Sequence, residues 1–92
     1  IGGVPEHFNI TWKVALEQGL LTKHGFEIQW TDFPGGTGAM TKAMKDNELD
    51  LAIMLTEGAV AGIVNGLPYK LFSLFVKSPL TWGIHKYAGS SL

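Results

Sequence analysis

A chain of 92 residues, 46% hydrophobic and 16% charged, can build one small globular core and no more. Seven Lys and no Arg stand against eight Asp plus Glu, a net charge of −1; this argues against a basic nucleic-acid-binding stripe and removes any guanidinium clamp for a carboxylate or phosphate. With no Cys there is no disulfide, thiolate metal site or cysteine nucleophile, and no apolar run approaches the ~20 residues that a membrane helix needs.

The chain opens directly on Ile1-Gly2-Gly3-Val4, a short strand candidate, so a mature or truncated form is expected. Pro5 to Phe8 reads as a loop. Trp12, Ala15, Leu16, Gly19 and Leu20 then recur on one face of a helix, with Asn9 or Thr11 as its N-cap and Gly25 in the left-handed turn beyond its end. Phe26, Ile28 and Trp30 alternate with Glu27 and Gln29, which predicts a half-buried strand over 26–30. Asp32 to Gly38 is a turn-rich loop. Thr37 is placed to cap a short helix from about Gly38 to Lys45, with Ala39, Met40, Ala43 and Met44 inward and Asp46-Asn47-Glu48 at its end. Leu49, Leu51 and Ile53 begin a third strand. Its apolar run, Leu51 to Leu55, suits a central strand covered on both faces. Thr56-Glu57-Gly58 opens a helix from Ala59 to about Asn65, stopped by Gly66. Leu71 to Val76 predicts a fourth strand with Lys77-Ser78-Pro79 as its loop. Thr81 to His85 predicts a short fifth extended piece, and Tyr87 to Leu92 a tail or linker.

Helices alternating with strands predict an α/β fold with a parallel sheet and right-handed crossovers. In such sheets ligands bind outside the carboxyl ends of the strands. The loops that reach that edge carry Glu6, His7 and Phe8; Asp32 to Gly38; Thr56, Glu57 and Gly58; and Ser78 with Pro79.

Pro34-Gly35-Gly36-Thr37-Gly38 is the most distinctive stretch. A glycine-rich loop running into a helix presents backbone N–H groups at the positive end of the dipole, where an anionic or polar acceptor can sit. A plain tight turn is the other reading. Neither a P-loop nor a dinucleotide fingerprint fits. Thr56-Glu57-Gly58 repeats the pattern, against the simpler reading of a capping Thr and a first-turn Glu. His7 and Phe8 are read as ligand contacts and Trp12 as core. His24 reads as solvated and Trp82 as core, while His85 is open. The three His lie too far apart in sequence for ligand spacing, so no metal site is expected. No Gly-x-Ser-x-Gly elbow occurs. Asn9-Ile10-Thr11 matches a glycosylation sequon, a triplet common by chance.

Four stretches carry a family resemblance: Gly3-Val4-Pro5-Glu6-His7-Phe8, Trp30 to Met40, Leu55-Thr56-Glu57-Gly58, and Ser78-Pro79-Leu80-Thr81-Trp82-Gly83-Ile84-His85. Together they resemble the type II periplasmic-binding-protein superfamily, in the branch of solute-binding proteins for aliphatic sulfonates, nitrate and the thiamine pyrimidine precursor. The resemblance implies a three-layer parallel-sheet lobe with strand order 2-1-3-n-4, incomplete in this chain. Residues 1–86 would form the N-terminal part of lobe one, and 87–92 the start of a hinge toward a second lobe. It implies a non-enzymatic solute-binding component of an ABC-type importer, periplasmic or extracytoplasmic, with a membrane permease as partner. A small polar or anionic, possibly heteroaromatic, ligand would lie in an interlobe cleft, with no cofactor. Carried over by position, the ligand contacts are His7, Phe8, Gly36, Thr37, Gly38, Thr56, Glu57 and Ser78. The absence of Arg departs from amino-acid-binding relatives, which clamp the ligand carboxylate with one. The alternative implied is a thiamine-pathway enzyme or cytosolic ligand sensor on the same fold. The Cys-rich signature of the yeast pyrimidine-synthesising enzymes is absent.

Overall fold

The computed structural model describes residues 1–79, 81 and 83–91. Strands β1 (Gly2–Gly3), β2 (Thr31–Asp32) and β3 (Ala52–Ile53) form a parallel sheet in the order β2-β1-β3. Gly2 and Gly3 pair with Thr31 and Asp32 on one side and with Ala52 and Ile53 on the other. A 3₁₀ turn (His7–Asn9) leads into α1 (Ile10–Glu17). Helices α2 (Leu20–Lys23), α3 (Gly36–Lys45) and α4 (Thr56–Val64) complete the order. The α/β class and the parallel connections are those expected from the alternation of patterns.

The two glycines of β1 explain how the layers close. A Cβ on Gly2 would lie 2.6 Å from the Phe33 ring and 2.7 Å from Leu49; one on Gly3 would lie 2.7 Å from the Trp30 ring and 2.9 Å from Asn9 Nδ2. Successive strand residues point to opposite faces. One face therefore meets the cluster of Met40, Ala43 and Leu49, joined by Val4, Phe33, Met44, Ala52 and Met54. The other meets Trp30 and Asn9. Met40 and Ala43 point inward from α3 as their spacing predicts.

Several boundaries differ from expectation. The first helix is not continuous: Gly19 adopts φ +65° and divides it into α1 and α2, a conformation that costs a side chain but not glycine. Asn9 stands at the N-cap position without capping. Its side chain is fully buried and its Nδ2 donates to Val4 O at 2.8 Å. That burial also removes it as a glycosylation acceptor in the folded chain. The second strand is not 26–30 but Thr31–Asp32. Pairing with the first strand reaches only from Gln29, whose carbonyl accepts from Ile1 N, to Phe33, whose N–H donates to Gly3 O; residues 26–28 have no strand partner among the described residues, the Phe26 N–H donates back to Leu21 O, and Phe26 is exposed. Helix α3 starts at Gly36, with Gly35 rather than Thr37 at its N-cap. β3 is not central. It lies at one side of the described sheet, half-buried, because β1 takes the middle place.

The fourth and fifth strands are absent among the described residues. Residues 71–76 form no ladder, and Leu71, Phe72, Leu74, Phe75 and Val76 are all exposed. An extended apolar run becomes a strand only when a neighbour pairs with it, and the outer edge of β3 is separated from this run by an open groove. Thr81 and residues 83–85 carry no regular structure. Trp82 and Leu80, to which a core role and part of the resemblance were assigned, lie outside the described residues, as does Leu92.

Candidate functional site

Because all three strands are parallel, their carboxyl ends share one edge. The loop after β1 delivers Glu6, His7 and Phe8 there. The turn after β2 delivers Gly36 and Thr37 at the start of α3, and the turn after β3 delivers Thr56 and Glu57 at the start of α4. A groove of about 1250 Å³ runs along β3, from Asp50 to Leu55, and reaches this edge, with residues 68–76, Ser78 and Thr81 lining its far side. Its lining includes His7, Phe8, Gly36, Thr37, Thr56, Glu57 and Ser78. Gly38 stands apart from it, exposed on α3.

The local chemistry follows from the helix starts. The first-turn N–H groups of a helix have no intrahelical acceptor. Neither Gly35 before α3 nor Leu55 before α4 supplies a side-chain cap. Thr56 is the first residue of α4 and not its cap. Thr37 Oγ1 accepts a long bond, 3.4 Å, from Leu55 N, which ties the start of α3 to the end of β3. The fit is tight on this side too, since a Cβ on Gly58 would lie 2.7 Å from Thr37 Cγ2. His7 and Phe8 meet edge to face at 5.5 Å and 76°. Glu57 is exposed. Its carboxylate therefore meets no burial demand for a donor.

Three features of the groove were not read from the sequence. Trp12, assigned to the core, lines it. So do Tyr69 and Lys70 from the connection after α4. Tyr69 is positioned by α4 itself: its hydroxyl donates to Ala59 O at 3.3 Å, and its ring tip occupies the space that a side chain at Gly62 would need. The small residues at 59 and 62 were the available signal. The charged lining residues are Glu6, Asp50 and Glu57 against Lys70, so the groove has no cationic surplus for an anion.

A second hollow, about 390 Å³, lies at the opposite end of the strands, lined by Ile1, Gln29, Glu48 and Asp50 among others. It lacks the helix starts that converge on the larger groove. Among the described residues no three or more His, Asp or Glu gather to hold a metal ion, and no helix is long and apolar enough to cross a membrane. No protein-family description, curated protein or solved structure matches the chain.

Proposed function

We propose that this chain is a small-molecule binding module, one lobe of a type II periplasmic-binding-protein fold, acting as the solute-binding component of an ABC-type importer. The observation that carries the reading is that loops after all three parallel strands reach one groove, which runs along β3 to their carboxyl edge. The sheet order 2-1-3 is compatible with such a lobe. The reading is further supported by the four stretches of sequence resemblance.

In this reading, first-turn N–H groups of α3 and α4 hold the polar end of the ligand. Thr56 and Glu57 read its hydroxyl or amine groups, and His7 and Phe8 cover a flat part. The charge balance of the groove favours a neutral or N–H-bearing ligand over an anion. A membrane permease is the partner, the site is extracytoplasmic, and no bond of the ligand is broken. Closure of a second lobe over the groove would complete the site and gate release.

The test is Glu57→Gln in the full-length protein, with the ligand recovered from the purified protein as probe and calorimetry as readout. Loss of one charge-assisted hydrogen bond predicts about tenfold weaker binding. Unaltered affinity removes Glu57 from the site.

A further inference from the structure

The described sheet ends on β3. Its inner side pairs with β1, and its outer side has no strand partner among the described residues. Across the groove lies a segment that lacks a partner too. Leu71, Phe72, Leu74, Phe75 and Val76 are all exposed, Phe72 at 79%. Among the described residues, 70–79 make no backbone–backbone hydrogen bond. Alternate residues of an extended chain face opposite sides, so this run is apolar on both. That is the pattern of a strand inside a sheet.

The run does not reach its own β3. Tyr69, just before it, is pinned to α4: its hydroxyl donates to Ala59 O at 3.3 Å, and its ring tip fills the space beside Gly62. The run therefore starts on the far wall, with the groove between it and β3. A strand takes about 5 Å across a sheet, about 10 Å between layers and about 3.3 Å along its length for each residue, so six residues need about 950 Å³. The groove offers about 1250 Å³. Its two walls end in complementary charges. Asp50 and Glu57 bracket the β3 side, seven positions apart, and Lys70 and Lys77 bracket the run, also seven apart. None of the four forms an ion pair among the described residues.

We infer that this face is the interface of a two-fold homodimer, in which residues 70–77 of each copy fill the groove of the other. A two-fold axis between the runs gives one continuous sheet in the order β3, partner's run, own run, partner's β3. The exchange closes on itself, because each run then lies between the other copy's β3 and run. Both unpaired edges disappear, and the run that is apolar on both faces becomes interior. The crossover through α4 brings a run back parallel to its own β3, so the partner's run lies antiparallel to it. That direction sets the partner's Lys70 beside Glu57 and the partner's Lys77 beside Asp50. Each end of the interface is then a row of Glu57, the partner's Lys70, Lys77 and the partner's Asp50, two lysines flanked by two acids. The inserted run takes the length along β3 and leaves the end of the groove at the helix starts. The inference thus goes beyond the small-ligand reading and does not rest on it.

Sedimentation equilibrium of the full chain is expected to give twice its 10.0 kDa mass. Phe72→Asp, at a position open to solvent in the single chain, is expected to weaken the dimer by more than about tenfold and to leave the far-ultraviolet circular dichroism unchanged. Lys70→Glu with Lys77→Glu is expected to weaken it about tenfold, Asp50→Lys with Glu57→Lys likewise, and the four changes together to restore it. A dimer indifferent to the charge changes, or not restored by their combination, overturns the assignment. So does a chain that stays monomeric up to about 1 mM. The seating is read from a mixture of ¹³C-labelled and unlabelled chains, in which contacts of 71–76 with 51–55 are expected between chains. The same contacts within one chain mean that each run closes its own groove, and the inference falls.

Discussion

Asp32 ends β2 with two donors on its carboxylate, Trp30 Nε1 at 2.8 Å and Lys13 Nζ at 3.2 Å. The indole first, then the ammonium, hold its carboxyl below the ordinary 3.8. Folding thus favours the ionised form. The resulting stabilisation is present above the unfolded value and is lost as pH falls through the lower folded one. Solvent screens the exposed pair, so the effect on stability is small. A ¹³C titration of the Asp32 carboxyl is expected to give a midpoint below 3.8, moved upward by Trp30→Phe; a midpoint at or above 3.8 contradicts the contact. At this scale the sequence was informative where chain topology fixes position. His7, Thr37 and Glu57 follow strands, and they reach one edge whatever their rotamers. It was uninformative where function depends on what a side chain touches. Trp12 shares a helical face with Ala15 and Leu16, so its spacing alone cannot separate core from groove lining. Glu57 is likewise placed by the first turn of α4, where it is open to solvent.

The elements are short and depend on close approach. Gly3→Ala places a methyl group against the Trp30 ring and Asn9, and is expected to cost about 1–3 kcal/mol. Gly19→Ala meets open space but keeps φ +65°, and is expected to cost about 1 kcal/mol. Gly38→Ala, inside α3 with nothing within 4 Å of its new methyl, is expected to stabilise by about 0.5–1 kcal/mol. Urea midpoints of the three variants check the order, and a destabilised Gly38→Ala overturns the placement of α3. Helices α3 and α4 were legible because inward spacing and end signals agree: Met40 and Ala43 are buried, and Gly66 takes the left-handed conformation after α4. Strands were less so. The alternation at 26–30 is a real pattern, but pairing extends only as far as β1 does. The run 71–76 is apolar enough for a strand and lacks a described neighbour to pair with. Strand formation is a property of two segments, and one segment's pattern cannot report it.

Across the whole molecule, the radius of gyration is 15.9 Å, against about 12 Å for a compact domain of this length. Residues 70–79 and 83–89 are exposed throughout. Met40, Ala43, Leu49 and Ala59 are the buried apolar residues among those described. So small a core predicts an unfolding free energy for the 92-residue chain at or below about 5 kcal/mol, read from urea denaturation. A cooperative transition well above that value contradicts it. The most direct test of the groove as a small-molecule site is native mass spectrometry of the purified full-length protein, followed by chemical identification of what denaturation releases. The account predicts a stoichiometric small polar, flat molecule, recovered unchanged after prolonged incubation and able to rebind. A protein that carries nothing and takes up nothing from a cell-extract metabolite fraction contradicts it, as does a released molecule that the protein has chemically altered.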